Sequence, residues 1–165
     1  MHNEQSLLKI LDELEIKYDY RAHEPVFTCE QANAAFPEHK GAHCKNLFLK
    51  DADGKKWLVV IPDNRRADLK ALAEKIASKR LSFCSAEEMQ ELLGVGPGSA
   101  TPMAVINDLK NQVTLAIDEI VMGWDIIRCH PMTNAATIAI GNADFKKFIR
   151  HANHDIQVIG LFANG

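Results

Sequence analysis

The chain has 165 residues, of which 47% are hydrophobic and 25% are charged, and its formal net charge is −3. These values are typical of one soluble globular domain, large enough to bury roughly two-thirds of the surface that its unfolded chain exposes. There is no run of about 18 apolar residues, and the N-terminus lacks the basic start and apolar stretch of a secretory signal. We therefore expect a cytoplasmic protein with one domain over residues 1–165 and no membrane contact.

The net charge is unevenly distributed along the chain. The segment from Lys40 to Arg80 holds eleven Lys/Arg against five Asp/Glu, a net charge of +6, whereas the remainder holds eight against seventeen, a net charge of −9. A basic region on an acidic body can hold a phosphate backbone locally and still avoid other polyanions. The same distribution is also typical of a solvated helix face with lysines at strand edges. Charge alone favours neither explanation.

The first predicted elements are a helix, a strand and a second helix. Ile16, Tyr18 and Tyr20 alternate with charged residues, which predicts a short half-buried strand. Thr28-Cys29-Glu30-Gln31 has the form of a capping box, which predicts a short Ala-rich helix that ends before Pro37. The helix before the strand is predicted by apolar residues at helical spacing, namely Leu7, Leu8, Ile10, Leu11 and Leu14.

A hairpin and a basic amphipathic helix are predicted next. Strands over Asn46–Lys50 and Lys56–Ile61 are joined by Asp51-Ala52-Asp53-Gly54, which is the clearest hairpin signal in the chain. Pro62 ends the second strand, and the helix that follows has basic residues outside and an apolar face formed by Leu69, Leu72, Ala73 and Ile76.

The second half continues to alternate irregularly between strands and helices. A strand over Leu81–Phe83 precedes a capping box at Ser85-Ala86-Glu87-Glu88, and Gly94 suits the position just past that helix. A last helix carries Phe145, Phe148 and Ile149, and the remaining strands are Val113–Ile117, Thr137–Ile140 and Ile156–Ile159. This order favours an α+β fold, a mixed and mostly antiparallel sheet with helices packed around it, over a regular βαβ array.

No metal site or covalent nucleophile is recognisable. His39 and His43 lie beside Cys44, and His151 and His154 are three apart, but neither pair has a third ligand nearby, and Gly41 weakens the helix that the first pair would need. We interpret them as surface histidines and expect neither a metal nor another cofactor. Ser99 lacks the G-x-S-x-G elbow. The thiols are interpreted as reduced and structural, at Cys29, Cys44, Cys84 and Cys129.

Three features remain as candidates for a site, each with a structural alternative. The segment from Gly94 to Pro102 contains three glycines, whose backbone N–H groups could form an oxyanion nest or an ordinary turn-rich connection. Lys45, at the entry of an apolar strand, either snorkels to solvent, which periodicity favours, or points into a cleft. His130 precedes Pro131 and is more often a structural histidine than a catalytic one.

Four segments, in this order, resemble the prolyl-tRNA editing family, the YbaK-like domain that is also inserted in some prolyl-tRNA synthetases. They are Lys45-Asn46-Leu47-Phe48-Leu49, Trp57-Leu58-Val59-Val60-Ile61, Asp68-Leu69-Lys70 and Gly98-Ser99-Ala100-Thr101-Pro102. The last segment fits the family's G-x-x-x-P loop, and the ordered combination makes the resemblance specific. The resemblance covers the chain from about Ser6 to Phe162 and implies that family's α+β fold.

Within the family, the Lys45-Asn46 pair and the Ser99-Ala100-Thr101 loop resemble the free-standing, alanine-specific branch called ProXp-ala. The cysteine-specific YbaK branch typically has a different residue after the lysine and a second glycine in the loop. The resemblance therefore implies a deacylase that removes alanine from mischarged proline tRNA, acting in trans because no synthetase segment is attached. The implied partner is tRNA, with at most a transient contact to prolyl-tRNA synthetase, and no DNA.

The resemblance also implies roles for individual residues. Lys45 would hold the aminoacyl ester or the terminal phosphate, and the backbone near Gly98 would position the reacting ester. In this family the attacking water is thought to be helped by the substrate's own ribose hydroxyl, which agrees with the lack of a triad motif. The pocket would be lined by Asn46, Ser99, Ala100, Thr101, Pro102 and His130.

Such an enzyme would act as a second sieve. A synthetase pocket shaped for proline discriminates against the smaller alanine by only about 1–3 kcal/mol, because missing methylenes are all that differ. Two alternatives remain open at this stage. One is the same hydrolysis on cysteinyl- or seryl-tRNA, and the other is a non-catalytic module that binds aminoacyl-tRNA.

Overall fold

A computed structural model describes residues 1–25 and 43–162. Within this part of the chain the helices are α1 (Glu4–Glu13), α2 (Leu69–Lys75), α3 (Ala86–Leu93), α4 (Glu119–Met122) and α5 (Asn142–His151), with a 3-10 helix at Pro102–Asn107. The strands are β1 (Tyr18–Ala22), β2 (Cys44–Asp51), β3 (Lys56–Pro62), β4 (Leu81–Phe83), β5 (Val113–Asp118), β6 (Ile126–Cys129), β7 (Ala136–Gly141) and β8 (Ile156–Ile159).

The strands form two sheets. The larger sheet has the order β4-β2-β3-β5-β8, with antiparallel pairing from β4 to β3 and parallel pairing from β3 to β8. The smaller sheet has the order β1-β7-β6 and is antiparallel throughout. A parallel backbone bridge between His43 and Arg128 connects the entry of β2 to β6. The predicted α+β class with mostly antiparallel pairing is confirmed, but the strands divide between two sheets.

Two apolar clusters cover opposite faces of the larger sheet. The main core lies against the face of β2 that carries Phe48 and is completed by the smaller sheet, the 3-10 helix and helices α1, α3 and α5. The second cluster lies against the face that carries Leu49 and is covered by α2. Because side chains alternate along a strand, neighbouring residues of β2 belong to different clusters. The same alternation determines to which face Lys45 and Asn46 project.

Local signals explain where α3 begins and ends. The Ser85 hydroxyl accepts a hydrogen bond from Glu88 N–H, and the Glu88 carboxylate accepts one from Ser85 N–H, so both halves of the predicted capping box are present. Gly94 follows the last turn with a φ of +70°. A Cβ atom at this position would lie 2.7 Å from Asn107 Nδ2, so both conformation and space require glycine.

Most predicted elements are confirmed with shifts of one or two residues at their ends. The predicted strand at residues 16–20 begins only at Tyr18, and Ile16 is buried in the main core ahead of it. Sequence reasoning missed β6, α4 and the 3-10 helix, which starts at the last residue of the predicted irregular loop. The predicted helix that begins at Thr28 lies outside the described residues.

A buried ion pair holds the segment that follows the 3-10 helix. His154 Nε2 lies 3.0 Å from Asp108 Oδ2, and its Nδ1 lies 2.8 Å from the carbonyl oxygen of Ala152. The carboxylate of Asp108 also accepts hydrogen bonds from the N–H groups of Gln112 and Val113. The prediction that His154 is a surface histidine is therefore wrong, since it is 7% exposed and fully hydrogen-bonded.

We predict that Asp108→Ala lowers the free energy of unfolding by about 3–5 kcal/mol, because it leaves a buried histidine and the buried N–H group of Val113 without their acceptor. Urea denaturation measures this loss. Asp155→Ala removes an exposed carboxylate nearby and should change stability by less than about 0.5 kcal/mol. Equal effects of the two substitutions would contradict the importance of the pair.

Candidate active site

The candidate site lies where the smaller sheet meets the start of β2. The bridge between His43 and Arg128 is parallel, so both segments leave it in the same direction. Lys45 follows the bridge by two residues on one segment, and His130 follows by two residues on the other. His43 is close enough to His130 for its charge to lower the pKa of that ring. Tertiary structure therefore brings the Lys45-Asn46 segment next to His130.

His130 is a partly buried histidine with a defined proton. Its Nδ1 atom lies 2.8 Å from the carbonyl oxygen of Ala136, so Nδ1 carries hydrogen and donates to that oxygen. Burial lowers the pKa of His130, the nearby His23 and His43 lower it further, and the hydrogen bond to Ala136 opposes the change. The ring is therefore neutral at pH 7, and its Nε2 atom is available as a hydrogen-bond acceptor.

His23 lies beside His130 at the end of β1. The two ring centroids are 6.3 Å apart, with 59° between the ring planes. The Nδ1 atom of His23 lies 2.8 Å from the carbonyl oxygen of Glu24, and its Nε2 atom lies 2.8 Å from the hydroxyl of Thr137. Thr137 is only 3% exposed, so this side-chain contact belongs to the buried part of the site.

The face of the smaller sheet that carries Arg128 is polar although it is largely covered. Arg128 and Thr137 are buried there, on neighbouring strands. Burial lowers the pKa of Arg128, whereas Cys44 and the carboxylate of Asp19 raise it. Isoleucine and cysteine side chains of the same strands turn to the opposite face and join the main core. The site is therefore built on the polar face of a sheet whose other face is apolar.

Lys45 and Asn46 project to opposite sides of β2. Lys45 pairs with Ile61 and lies on the face that carries the second cluster and α2. Asn46 pairs with Val60 and lies on the face of the main core, where its Oδ1 atom is buried and accepts no hydrogen bond from the described residues. A single ligand could contact both side chains only at the start of β2, where it can reach both faces of the sheet.

The Gly/Pro loop contacts the strand that leads to His130. Gly98 has a φ of +83°, a conformation that favours glycine. Thr101 is fully buried, and its hydroxyl accepts a hydrogen bond from Met103 N–H at the start of the 3-10 helix. The Thr101 side chain also hydrogen-bonds to the thiol of Cys129, next to His130. Thr101 therefore anchors the loop with its side chain. Ahead of it, the Ser99 N–H group donates to the carbonyl oxygen of Gly96 at 3.1 Å, which closes a turn over residues 96–99.

The structure thus places the predicted site residues in two groups. Lys45, Asn46 and His130 follow the bridge on the two segments that it joins, with Lys45 projecting to the α2 face. The loop over Gly98–Pro102 reaches β6 through the contact of Thr101 with Cys129. Sequence reasoning missed His23, Arg128 and Thr137. His23 had a usable signal, because it ends an alternating strand just before Pro25, but the other two residues lie in strands whose pairing only the tertiary structure defines.

The described thiols differ in position, and two of them are held protonated. Burial raises the pKa of Cys84 to about 11 and that of Cys129 to about 12. Cys129 is buried and agrees with the predicted structural thiol, whereas Cys44 and Cys84 are partly exposed. Across residues 1–25 and 43–162, no group of three or more His, Cys, Asp or Glu side chains could hold a metal ion. His43 is buried rather than on the surface, which corrects its predicted location, and His39 and Cys29 lie outside the described residues.

In the described part of the basic segment from Lys40 to Arg80, some cations form ion pairs and others form none with the described residues. Lys50 and Lys56 both contact Glu88, at 2.7 and 3.6 Å, and Lys50 is the main cause that lowers the pKa of Glu88 to about 2. Lys79 lies 3.4 Å from Asp53. Within the described ranges no ion pair is formed by Lys45, Lys55, Arg66, Lys70, Lys75 or Arg80. None of the helices in these ranges is both long and apolar enough to cross a membrane.

Comparisons with known proteins agree on one family. The family described as "Aminoacyl-tRNA editing domain" matches residues 23–148. The "Prolyl-tRNA editing protein ProX" of Acetoanaerobium sticklandii is 34% identical over 162 residues, which covers 98% of this chain and 99% of that protein. The "Prolyl-tRNA synthetase associated domain-containing protein 1" of Xenopus laevis is 38% identical over 160 residues, covering 94% and 95% respectively.

A solved structure supports the same fold. The protein described as "a putative trans-editing enzyme for prolyl tRNA synthetase" superimposes with a TM-score of 0.69 and 16% identity, covering 97% of this chain and 98% of that chain. At this level of identity the match concerns the fold alone.

The environment of His130 determines how its ring titrates. We expect its ring to titrate below the ordinary histidine pKa of about 6.5, because burial favours the neutral form. The folded state thus gains stability from the neutral ring above pH 6.5 and loses this gain as the pH falls below it. An NMR titration, with the His130 signal assigned by its loss in His130→Gln, measures the midpoint. A midpoint at or above 6.5 would contradict the assignment.

Proposed function

The chain belongs to the aminoacyl-tRNA editing domain family and is an aminoacyl-tRNA hydrolase. We propose that it removes alanine from mischarged proline tRNA. Its full-length similarity to a protein named for prolyl-tRNA editing supports proline tRNA as the substrate carrier. We propose that residues 1–165 act as one editing domain, in the cytoplasm where tRNA is charged. Transient contact with prolyl-tRNA synthetase stays a prediction.

The observation that carries the proposal is the parallel bridge between His43 and Arg128, which sets the backbone that leads to Lys45 beside the backbone that leads to His130. Lys45 forms no ion pair with the described residues, so its charge is available for a ligand. A cation at this position suits the terminal phosphate of tRNA or the carbonyl oxygen of the aminoacyl ester. His130 offers an acceptor on Nε2, and the loop offers the backbone N–H group of Gly98.

The reaction is hydrolysis of an activated ester, and it needs positioning more than a strong nucleophile. Water attacks the carbonyl carbon, the carbon–oxygen bond to the ribose breaks, and the ribose oxygen leaves with a proton. We propose that the neighbouring ribose hydroxyl assists the water, as the family resemblance implies. The backbone N–H group of Gly98 would stabilise the negative charge that develops on the carbonyl oxygen, because the Ser99 N–H group already donates to the carbonyl oxygen of Gly96 at 3.1 Å.

Asn46 gives the pocket a means to hold the aminoacyl group. Its buried Oδ1 atom has no donor among the described residues, and a buried acceptor without a donor costs about 1–3 kcal/mol. The ammonium group of an esterified amino acid could supply that donor. We propose that Asn46 binds this ammonium group while Lys45, on the other side of the strand start, binds the phosphate or carbonyl oxygen.

The basic face suits the rest of the tRNA substrate. Lys45 shares the α2 face of the larger sheet, and α2 carries Lys70 and Lys75, neither of which forms an ion pair within the described part of the chain. Phosphates that enter the site along this face would meet unpaired cations. The placement favours nucleic-acid binding over the purely structural explanation of the basic segment.

Alanine specificity follows from size. A pocket that admits the alanine methyl group rejects the proline ring, because overpacking a protein interior typically costs 1–3 kcal/mol. Cysteine adds only one heavy atom to alanine, so size discriminates less strongly against it. The Lys45-Asn46 pair and the Ser99-Ala100-Thr101 loop support the alanine-specific branch. The rival substrates are cysteinyl- and seryl-tRNA, and the rival class is a module that binds without hydrolysis.

We predict that Lys45→Ala lowers kcat/KM for deacylation by at least about tenfold, equivalent to about 1.4 kcal/mol of transition-state stabilisation. Single-turnover hydrolysis of alanyl-tRNA for proline measures the loss, and circular dichroism checks the fold. Lys55→Ala serves as the matched control, because Lys55 is exposed and likewise forms no ion pair with the described residues. Normal activity of a folded Lys45→Ala protein would refute the assignment.

A panel of charged proline tRNAs tests substrate choice. We expect rapid hydrolysis of the alanyl form, slower hydrolysis of the cysteinyl and seryl forms, and no loss of the prolyl form, because the pocket selects by size. Initial rates at equal enzyme concentration provide the comparison. Faster turnover of the cysteinyl form would assign the YbaK type of specificity, and binding without any hydrolysis would favour the non-catalytic module.

A further inference from the structure

One segment of β7 and the turn before it connects His23 to His130. The N–H group of His23 donates to the carbonyl oxygen of Ala135 at 2.9 Å, and the His23 ring contacts the hydroxyl of Thr137 at 2.8 Å. The residue between these two contacts is Ala136, whose carbonyl oxygen accepts the hydrogen bond from His130 Nδ1 at 2.8 Å. His23 therefore holds both neighbours of the group that orients His130.

The His23 side chain is itself fixed at both ring nitrogens. Its Nδ1 faces the carbonyl oxygen of Glu24 and must carry hydrogen to donate to it. In the neutral ring Nε2 is then the acceptor, and the buried hydroxyl of Thr137 donates to it. The backbone N–H group of His23 adds one hydrogen bond beyond the last β1–β7 pair, Ala22 with Ala136. These contacts order the end of β1 against the start of β7.

The orientation of His130 depends on that segment. With Nδ1–H committed to the carbonyl oxygen of Ala136, the neutral ring presents Nε2 as its acceptor. If Ala136 moved, the ring could rotate or exchange its proton to Nε2, and the acceptor would be lost. The centroid separation of 6.3 Å excludes a direct hydrogen bond between the rings, so His23 acts on the orientation of His130 through the segment.

We propose that His23 is a positioning residue, which fixes residues 135–137 so that the carbonyl oxygen of Ala136 holds His130 in the orientation that deacylation needs. The proposal rests on the proposed function for its effect on catalysis, but the orientation of His130 can be observed without substrate. Thr137 is the partner of His23 in this role. Neither His23 nor Thr137 needs to touch the aminoacyl-tRNA.

The groups that face His130 define what a pH measurement reports. His23 faces it from the end of β1 and His43 from the entry of β2, and both lower the pKa of His130 together with burial. Arg128 is the charged residue on its own strand. Removing the His23 imidazole takes away one of these influences and part of the burial. The pKa of His130 should therefore rise in His23→Ala.

The test compares His23→Ala, His23→Gln and Thr137→Val with the wild type in the full chain. We expect His23→Ala to lower kcat by about tenfold with little change in KM, because substrate contacts remain while the orientation of His130 is lost. His23→Gln keeps an acceptor that the Thr137 hydroxyl can reach and should recover part of the activity. Thr137→Val removes that hydroxyl at nearly constant volume and should lower kcat as well.

A double-mutant cycle and an NMR signature distinguish positioning from simple destabilisation. If His23 acts through Thr137, the effects of His23→Ala and Thr137→Val on kcat should not add. Nitrogen-15 shifts should show the Nδ1–H form of His130 in the wild type and a mixture of the two neutral forms in His23→Ala. Tyr20→Phe, on β1 and hydrogen-bonded to Glu4, is the control and should preserve both readouts.

The outcomes separate the two proposals. An unchanged nitrogen-15 signature and titration midpoint of His130 in folded His23→Ala would overturn the positioning role, whether or not the protein hydrolyses any aminoacyl-tRNA. An altered signature supports the positioning role even if the wild type fails on every charged tRNA, a failure that would overturn only the proposed function. A normal kcat in His23→Ala together with a changed signature would overturn the link between the orientation of His130 and deacylation.

Discussion

The parallel bridge between His43 and Arg128 is the contact on which the candidate site depends. It joins the entry of β2 to β6 and thereby connects the two sheets. Lys45 and His130 lie far apart in sequence, and this bridge sets the segments that carry them side by side. A change in its register by one residue would turn each side chain to the other face of its strand.

Burial of polar groups is the second constraint on the site. Arg128, Thr137 and His43 are all largely inaccessible to solvent, and burying such groups costs free energy unless they form hydrogen bonds. The contrast with the pair of Asp108 and His154 is informative. There both ring nitrogens are engaged, and the histidine is a structural element, whereas His130 uses Nδ1, and a ligand contact at its Nε2 is part of the proposal.

The two faces of the larger sheet carry different groups. The main-core face holds the smaller sheet and the anchor of the Gly/Pro loop, and it receives Asn46. The other face holds α2, and it receives Lys45 together with cations that form no ion pairs with the described residues. A substrate that carries an amino acid at the end of a phosphate backbone matches this division, since its two parts need different surroundings. An ester between them would lie at the start of β2.

The sequence by itself determined the local elements and the family of the protein. Capping residues, the hairpin turn and apolar periodicity act over a few neighbouring residues, so Ser85, Gly94 and the turn before Lys56 could be interpreted without coordinates. The ordered segments around Lys45 and Gly98 identified the editing family. The short strand β6 was missed, because four residues that include an arginine carry too little periodicity to be recognised.

Only the tertiary structure decided which of these residues share a site and which are structural. Strand pairing decides that Lys45 and Asn46 project to opposite faces of β2. The contact of Thr101 with Cys129 likewise joins parts of the chain that are distant in sequence. The same holds for the division into two sheets, the burial of His154 and the contact of His23 with Thr137. Pairing brings together segments separated by more than a hundred residues, such as β1 and β7. No local pattern records which segments will meet, because that choice depends on burying the apolar faces of all the elements at once.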